Sequence, residues 1–269
     1  MDIKKILKSL GIIAVIIIVC TLLSRHALRG ETLYEYATQH PELAYASPEP
    51  TLISSPEPTS TPNATPTPES SFYYEPLSDE MIARITGISY PITEADEELF
   101  ISYEDLRYLK VLYYDFDGNV QEGELICNAA IADDLKEIFY TLYENKYPIE
   151  KIRLIDEYAG DDTASMEDNN TSCFNYRVVD GSTSLSKHAL GCAIDINPFY
   201  NPYVVFNRNE SGQTYISPKG SEIYADRSQS FSYKIDENDL CYRLFKEHGF
   251  TWGGDWKSCK DYQHFQKVS

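Results

Sequence analysis

At 269 residues and 42% hydrophobic side chains, the chain is long enough for one medium domain plus appendages and apolar enough for a packed core. Its formal net charge is −19, and the first thirty residues hold Lys4, Lys5, Lys8, Arg25 and Arg29 against Asp2 alone. The acid excess therefore belongs to the remainder, and such a surface repels phosphate backbones, which excludes nucleic acid as a partner.

In chain order, three lysines precede an almost uninterrupted apolar run over residues 10–23. Counted over residues 6–24, with Lys8 snorkelling, the run is ~28 Å long at ~1.5 Å per residue, close to the hydrocarbon core of a bilayer. No small-x-small cleavage site follows, and Val19 before Cys20 is a poor lipobox residue. Residues 1–30 are therefore expected to be an uncleaved single-pass membrane anchor, with a cleaved signal peptide as the alternative. Lysines before the run place the N-terminus inside and the rest of the chain outside. Residues 31–71 read as a Pro/Ser/Thr-rich linker, with Pro-Glu-Pro and Thr-Pro units too poor in apolar residues to fold.

A globular domain is expected over residues 72–269. Residues 106–114 read as a strand, Asp115-Phe116-Asp117-Gly118-Asn119 as its turn, and residues 122–127 as the returning strand. Leu135, Ile138, Phe139 and Leu142 recur at helical spacing and predict a helix over 132–145, with Asp133 and Asp134 suited to its start. Residues 149–155 and 174–179 read as strands, 161–171 as a polar loop, and 201–232 as a long irregular excursion. A helix starting near Asn238 closes at His248-Gly249-Phe250, where Gly249 suits the left-handed cap.

The six cysteines are Cys20, Cys127, Cys173, Cys192, Cys241 and Cys259. None is spaced C-x-x-C, which argues against a zinc ribbon or a thioredoxin-like site. A Cys241–Cys259 bridge is the one pairing weighed. Cys192, close to His188, invites a thiol-protease reading, but alternation along residues 192–197 turns Cys192, Ile194 and Ile196 to the core. Ala193, Asp195 and Asn197 take the other face.

The chemistry concentrates in Ser186-Lys187-His188-Ala189-Leu190-Gly191-Cys192-Ala193-Ile194-Asp195, which sets an imidazole and a carboxylate seven positions apart across a turn glycine. His264 near the C-terminus is the candidate third ligand. Two histidines and one carboxylate match a catalytic zinc site with a position open to water. Asp261, three residues before His264, is the natural base for that water. His248 reads as a structural residue in the last turn of a helix, Asp255 as a turn residue, and Trp252 and Trp256 as cleft walls or core.

The pattern S-x-H-x-x-G-x-A-x-D, followed by W-G-G-D-W and D-x-x-H-F, resembles the D-alanyl-D-alanine carboxypeptidase family of zinc peptidases, which share the hedgehog/DD-peptidase fold. Asn169-Asn170-Thr171-Ser172 and Phe174-Asn175-Tyr176-Arg177 extend the similarity upstream. The resemblance implies an α+β fold, a small antiparallel sheet with flanking helices, and one Zn2+ held by His188, Asp195 and His264. Asp261 would be the general base, where some relatives carry Glu. Arg177 would hold a substrate carboxylate or the oxyanion, and Ser186 would bind on the substrate side. It further implies a bacterial enzyme that trims D-Ala from peptidoglycan stem peptides, and with the N-terminal anchor the expectation is a monomer whose catalytic domain is extracellular. Two alternatives stand beside it: an L-Ala–D-Glu or cross-bridge endopeptidase with the same site, and a non-catalytic zinc-containing wall-binding module.

Overall fold

The computed structural model describes residues 68–92, 99–179, 183–206 and 212–267, all within a compact unit spanning Asn63–Ser269. The expected anchor, and the linker up to residue 67, lie outside the described residues. Among the described residues no helix is long and apolar enough to cross a membrane. The architecture is mixed α and β, with small, mainly antiparallel sheets and few helices.

After a short 3-10 turn at Pro68–Ser71, strand β1 (Tyr73–Pro76) leads into helix α1 (Asp79–Ile85). Strand β2 (Leu106–Tyr114) and strand β3 (Val120–Asn128) pair along their whole length, and β1 adds to the free side of β2. Their alternation buries Leu109, Val111, Leu125 and Cys127 in the main core, while Leu106 and Ile126 join a second apolar cluster with Ile85 and Phe174. The turn between them is closed by the Asp115 carboxylate, which accepts from the amides of Asp117 and Asn119, with Gly118 at φ +80°.

Helix α2 (Ala132–Glu144) lays Leu135, Ile138, Phe139 and Leu142 onto the main core, as the spacing predicts. Asp133 and Asp134 stand in its first turn, where carboxylates complement the macrodipole. Only two residues of the strand expected over 149–155 pair: β4 (Lys151–Ile152) runs parallel to β5 (Asn170–Thr171). The ladder stops because the next amide, on Arg153, donates to the Asn170 side chain, and the chain then turns through a 3-10 segment at Ile155–Tyr158.

The expected polar loop over 161–171 contains helix α3 (Asp162–Glu167), capped by the Asp161 carboxylate accepting from the Ala164 amide. Its polar composition hides it, because one face sees solvent and the other packs Ser165 inward. Residues 174–179, expected as a strand, form none. The amides of Phe174, Asn175 and Tyr176 donate to Ile126, His188 and Ser89, and a single antiparallel bridge forms, between Val178 and Leu185.

Strand β6 (Ala193–Asp195) follows. The excursion over 201–232 is more regular than its composition suggests and carries β7 (Tyr203–Val205) and β8 (Tyr215–Ser217). It closes around Arg227, whose guanidinium donates to the carbonyls of Tyr200 and Ile235 and to the Asn201 side chain. Burial pushes that guanidinium down to about 10.

Helix α4 (Leu240–Glu247) starts two residues later than expected, with Asp239 as its cap. It ends at Gly249, φ +82°, with the Phe250 amide returning to the Phe245 carbonyl. Strands β9 (Thr251–Trp252), β10 (Lys260–Asp261) and β11 (His264–Gln266) complete two three-stranded antiparallel sheets, ordered β6-β11-β9 and β10-β7-β8. Phe245, Phe250 and Phe265 sit behind the first of these in the main core, each contributing ~1.5–3 kcal/mol of burial.

Candidate metal centre

His188 opens a 3-10 turn, His188–Leu190, that ends on Gly191 at φ +63°. A Cβ on Gly191 would stand 2.7 Å from the Asn128 amide nitrogen, so only glycine lets this turn press against β3. Asn128 fixes the contact, donating from its amide to the Gly191 carbonyl and from its side chain to the Leu190 carbonyl. Strand β6 then carries Asp195 to the position directly opposite His264 on β11. Ser172 exchanges backbone hydrogen bonds with Asp195 on the other side, so the ligand strand is held from both edges.

This register brings three buried side chains to one point. His188 Nε2 lies 3.2 Å from Asp195 Oδ2, His264 Nδ1 lies 3.0 Å from Asp195 Oδ1, and the two ring nitrogens are 3.2 Å apart. The remaining nitrogens face acceptors: His188 Nδ1 the Cys173 carbonyl at 2.6 Å, and His264 Nε2 the Gln266 Oε1 at 3.0 Å. In the neutral rings those bonds place a hydrogen on each outer nitrogen and leave a lone pair on each inner one. Two lone pairs and a carboxylate converging in a buried site repel one another unless a cation sits among them. The donor set therefore fits a metal ion, and all three ligand atoms lie within 4.8 Å of one another.

The titration of the cluster carries the same message. Burial opposes charge on His264, but the Asp195 hydrogen bond and charge, reinforced by Asp261, push its pKa up to about 9. Burial also opposes ionisation of Asp195, yet the two histidines hold it well below the usual carboxylate range. A proton occupies the place of the cation when no metal is bound.

Asp261 is outside the three-ligand cluster but lines the same cleft, whose volume is about 300 Å³. Burial lifts its carboxyl up to about 7, against the pull of His264, and its Oδ1 is buried with no hydrogen-bond partner. Arg177 lines the cleft too. It pairs with Asp162 at 2.8 Å, and its Nε is buried without a partner. Burial raises the Asp162 carboxyl while Arg177 opposes that shift. Ser186 lies in the cleft wall, and its Oγ accepts from the His188 amide at 3.3 Å, so it also shapes the turn that presents the ligand.

Asp162, Tyr203, Tyr215 and Trp256 line the cleft without having been singled out as site residues for the centre, Trp256 having been weighed only as wall or core. The Asp161 cap followed by a short helical spacing was the available signal for Asp162. Trp256 is a wall, its ring centroid 5.3 Å from that of His264, whereas Trp252 belongs to the core and donates to the Tyr262 carbonyl. His248 pairs with Asp134 and Asp255 with Lys246, both away from the centre.

All five described cysteines are free, so the Cys241–Cys259 bridge is not formed. Cys192 is buried, donates weakly to the Leu190 carbonyl, and has its thiol pKa pushed up by burial, the opposite of what a nucleophile needs. Both faces of residues 193–197 are buried, so the expected core/polar alternation survives only as a difference in what each face meets.

Residues 180–267 match the D-alanyl-D-alanine carboxypeptidase family. The matched segment holds Ser186, His188, Asp195, Asp261 and His264 but stops short of Asp162 and Arg177. Comparison with curated proteins and with solved structures returned no match.

Proposed function

We propose that this protein is a zinc-dependent D-alanyl-D-alanine carboxypeptidase acting on peptidoglycan stem peptides. The observation that carries this reading is the inward-facing pair, His188 Nε2 and His264 Nδ1, closed by Asp195 with both outer nitrogens already satisfied. His188, Asp195 and His264 would hold one zinc ion, which supplies Lewis acidity and a lowered pKa for water. Asp261, with one buried oxygen unpaired, takes the proton from the attacking water and returns it to the leaving amine. Arg177, steadied by Asp162, orients the substrate's terminal carboxylate or the oxyanion. Ser186 keeps the His188 turn in place and borders the substrate.

One observation favours the endopeptidase alternative: Arg177 is already paired with Asp162, which weakens its pull on a terminal carboxylate. Weighing the products from defined stem peptides decides between them. Release of a single D-Ala is expected, and fragments cut at an internal bond would replace the carboxypeptidase assignment. Asp261→Ala should abolish hydrolysis and keep the metal. Unchanged turnover in that variant would leave Asp261 without a mechanistic role, whereas a metal-loaded parent that cleaves no stem peptide would favour the wall-binding module.

The setting belongs to the same proposal. Lysines ahead of the apolar run over residues 10–23 support a bacterial membrane anchor with the catalytic domain outside, acting as a monomer. A mature N-terminus beginning well after Leu23 would show instead a cleaved signal and a secreted enzyme.

A further inference from the structure

The strand that carries Asp261, β10, forms one edge of the sheet ordered β10-β7-β8. Asp261 is the direct cross-strand partner of Tyr203, and Tyr203 is the direct partner of Ser217. Directly opposed residues of an antiparallel ladder project to the same face, and so does the residue two positions along. Asp261, Tyr203, Ser217 and Tyr215 therefore form one continuous surface, and all four line the metal cleft. The two tyrosine rings meet edge to face, with centroids 6.5 Å apart.

This surface is held rigidly to the base. Tyr262, the residue after Asp261, donates its amide to the Pro202 carbonyl just ahead of β7. Arg227 lies over the Tyr262 ring at 4.3 Å while donating to Tyr200 and Asn201, the residues that lead into β7. Tyr203 and Tyr215 thus stand at a distance from Asp261 set by ladder spacing rather than by a loop. Elsewhere the cleft wall carries Asp162, Arg177 and Lys187 among apolar residues such as Met166, Val179 and Leu185. The tyrosine row adds two aromatic rings to that lining.

We infer that the face shared by β7 and β8 is a peptide subsite, in which Tyr203 and Tyr215 are specificity-determining residues that pack against the peptide backbone on the N-terminal side of the scissile bond. This rests on the peptidase reading. The wall carrying Arg177 takes the carboxylate end of the substrate, and the β7–β8 face takes the backbone that precedes the cleaved residue.

The test compares a stem pentapeptide ending in D-Ala-D-Ala with N-acetyl-D-Ala-D-Ala, in metal-loaded protein. Affinity is measured by calorimetry in the Asp261→Ala background, and turnover is measured with Asp261 intact. The longer peptide should bind at least 10-fold tighter. Tyr203→Ala and Tyr215→Ala should each remove most of that preference while changing the short peptide's affinity less than 2-fold. Tyr203→Phe and Tyr215→Phe, which keep the rings, should retain at least half of it, and they serve if the alanine variants do not fold. Absence of a length preference in the parent, or equal weakening of both peptides by the tyrosine variants, overturns the subsite. Failure to release D-Ala from either peptide refutes the carboxypeptidase reading separately, because the affinity ratio is read without turnover.

Discussion

Gly253 and Asp261 touch so closely that a Cβ built on the glycine would stand 2.5 Å from the Asp261 carbonyl oxygen and 2.7 Å from its Cβ. Two bonds clamp the same turn to the same strand: Lys260 Nζ to the Gly254 carbonyl, and Trp252 Nε1 to the Tyr262 carbonyl. The W-G-G-D-W motif is thereby the backing of the base strand.

Gly253→Ala should displace Asp261 without touching a metal ligand. We expect turnover to fall at least ~10-fold, in line with the cost of a small misplacement of a catalytic group, with metal stoichiometry preserved. Asp261→Glu, one methylene longer, should be harmful in the parent and partly restorative beside Gly253→Ala. Steady-state kinetics with metal analysis on the four proteins reads both effects, and additive losses would refute the positioning role.

The hydrogen bond from His264 Nε2 to Gln266 Oε1 sets which ring nitrogen is left to bind a cation. Gln266→Ala should lower metal affinity by ~10–100-fold, as loss of such an outer partner does. Competition against a fluorescent chelator measures it, and unchanged affinity would mean that the ring keeps its tautomer unaided.

Metal loading should release a proton. His264 titrates at about 9 in the metal-free centre, above its ordinary 6.5. Its contribution to metal-free stability is therefore fully present below about 6.5 and lost as pH rises through about 9. A metal ion needs the neutral ring, so affinity should climb with pH until about 9. Calorimetry at pH 7.5 in buffers of different ionisation enthalpy should report about one proton displaced per metal from this group. No buffer dependence would contradict the cluster's proton-for-metal exchange.

Phe245 is fully buried and stacks on Phe265, centroids 4.4 Å apart, directly behind His264 on β11. Phe245→Ala should cost ~3–5 kcal/mol of stability through the cavity it leaves. Urea unfolding of the metal-free protein checks the magnitude, and a loss under 1 kcal/mol would show that the core collapses to fill the space.

By itself the amino-acid sequence determined the parts whose physics is local. The β2–β3 hairpin and helix α2 follow from alternation, an Asp-Gly turn and helical spacing. The cap at Gly249 follows from the need for positive φ. The donor chemistry of His188, Asp195 and His264 was legible too, since few other roles suit those residues around a turn glycine.

Only the tertiary structure decided what long-range pairing controls. Residues 174–179 look like a strand, yet the amides of Phe174, Asn175 and Tyr176 are claimed by Ile126, His188 and Ser89, and Val179 turns back to Ser184. The polar stretch after Asp161 forms a helix that packs Ser165 inward and brings Asp162 to Arg177. The excursion over 201–232 gains two strands because β7 finds β10, the strand of Asp261, about sixty residues away in a pairing that no local pattern announces. The metal centre obeys the same rule: residue types name the ligands, but the register of β6 against β11, opposing Asp195 to His264, is what makes them a site.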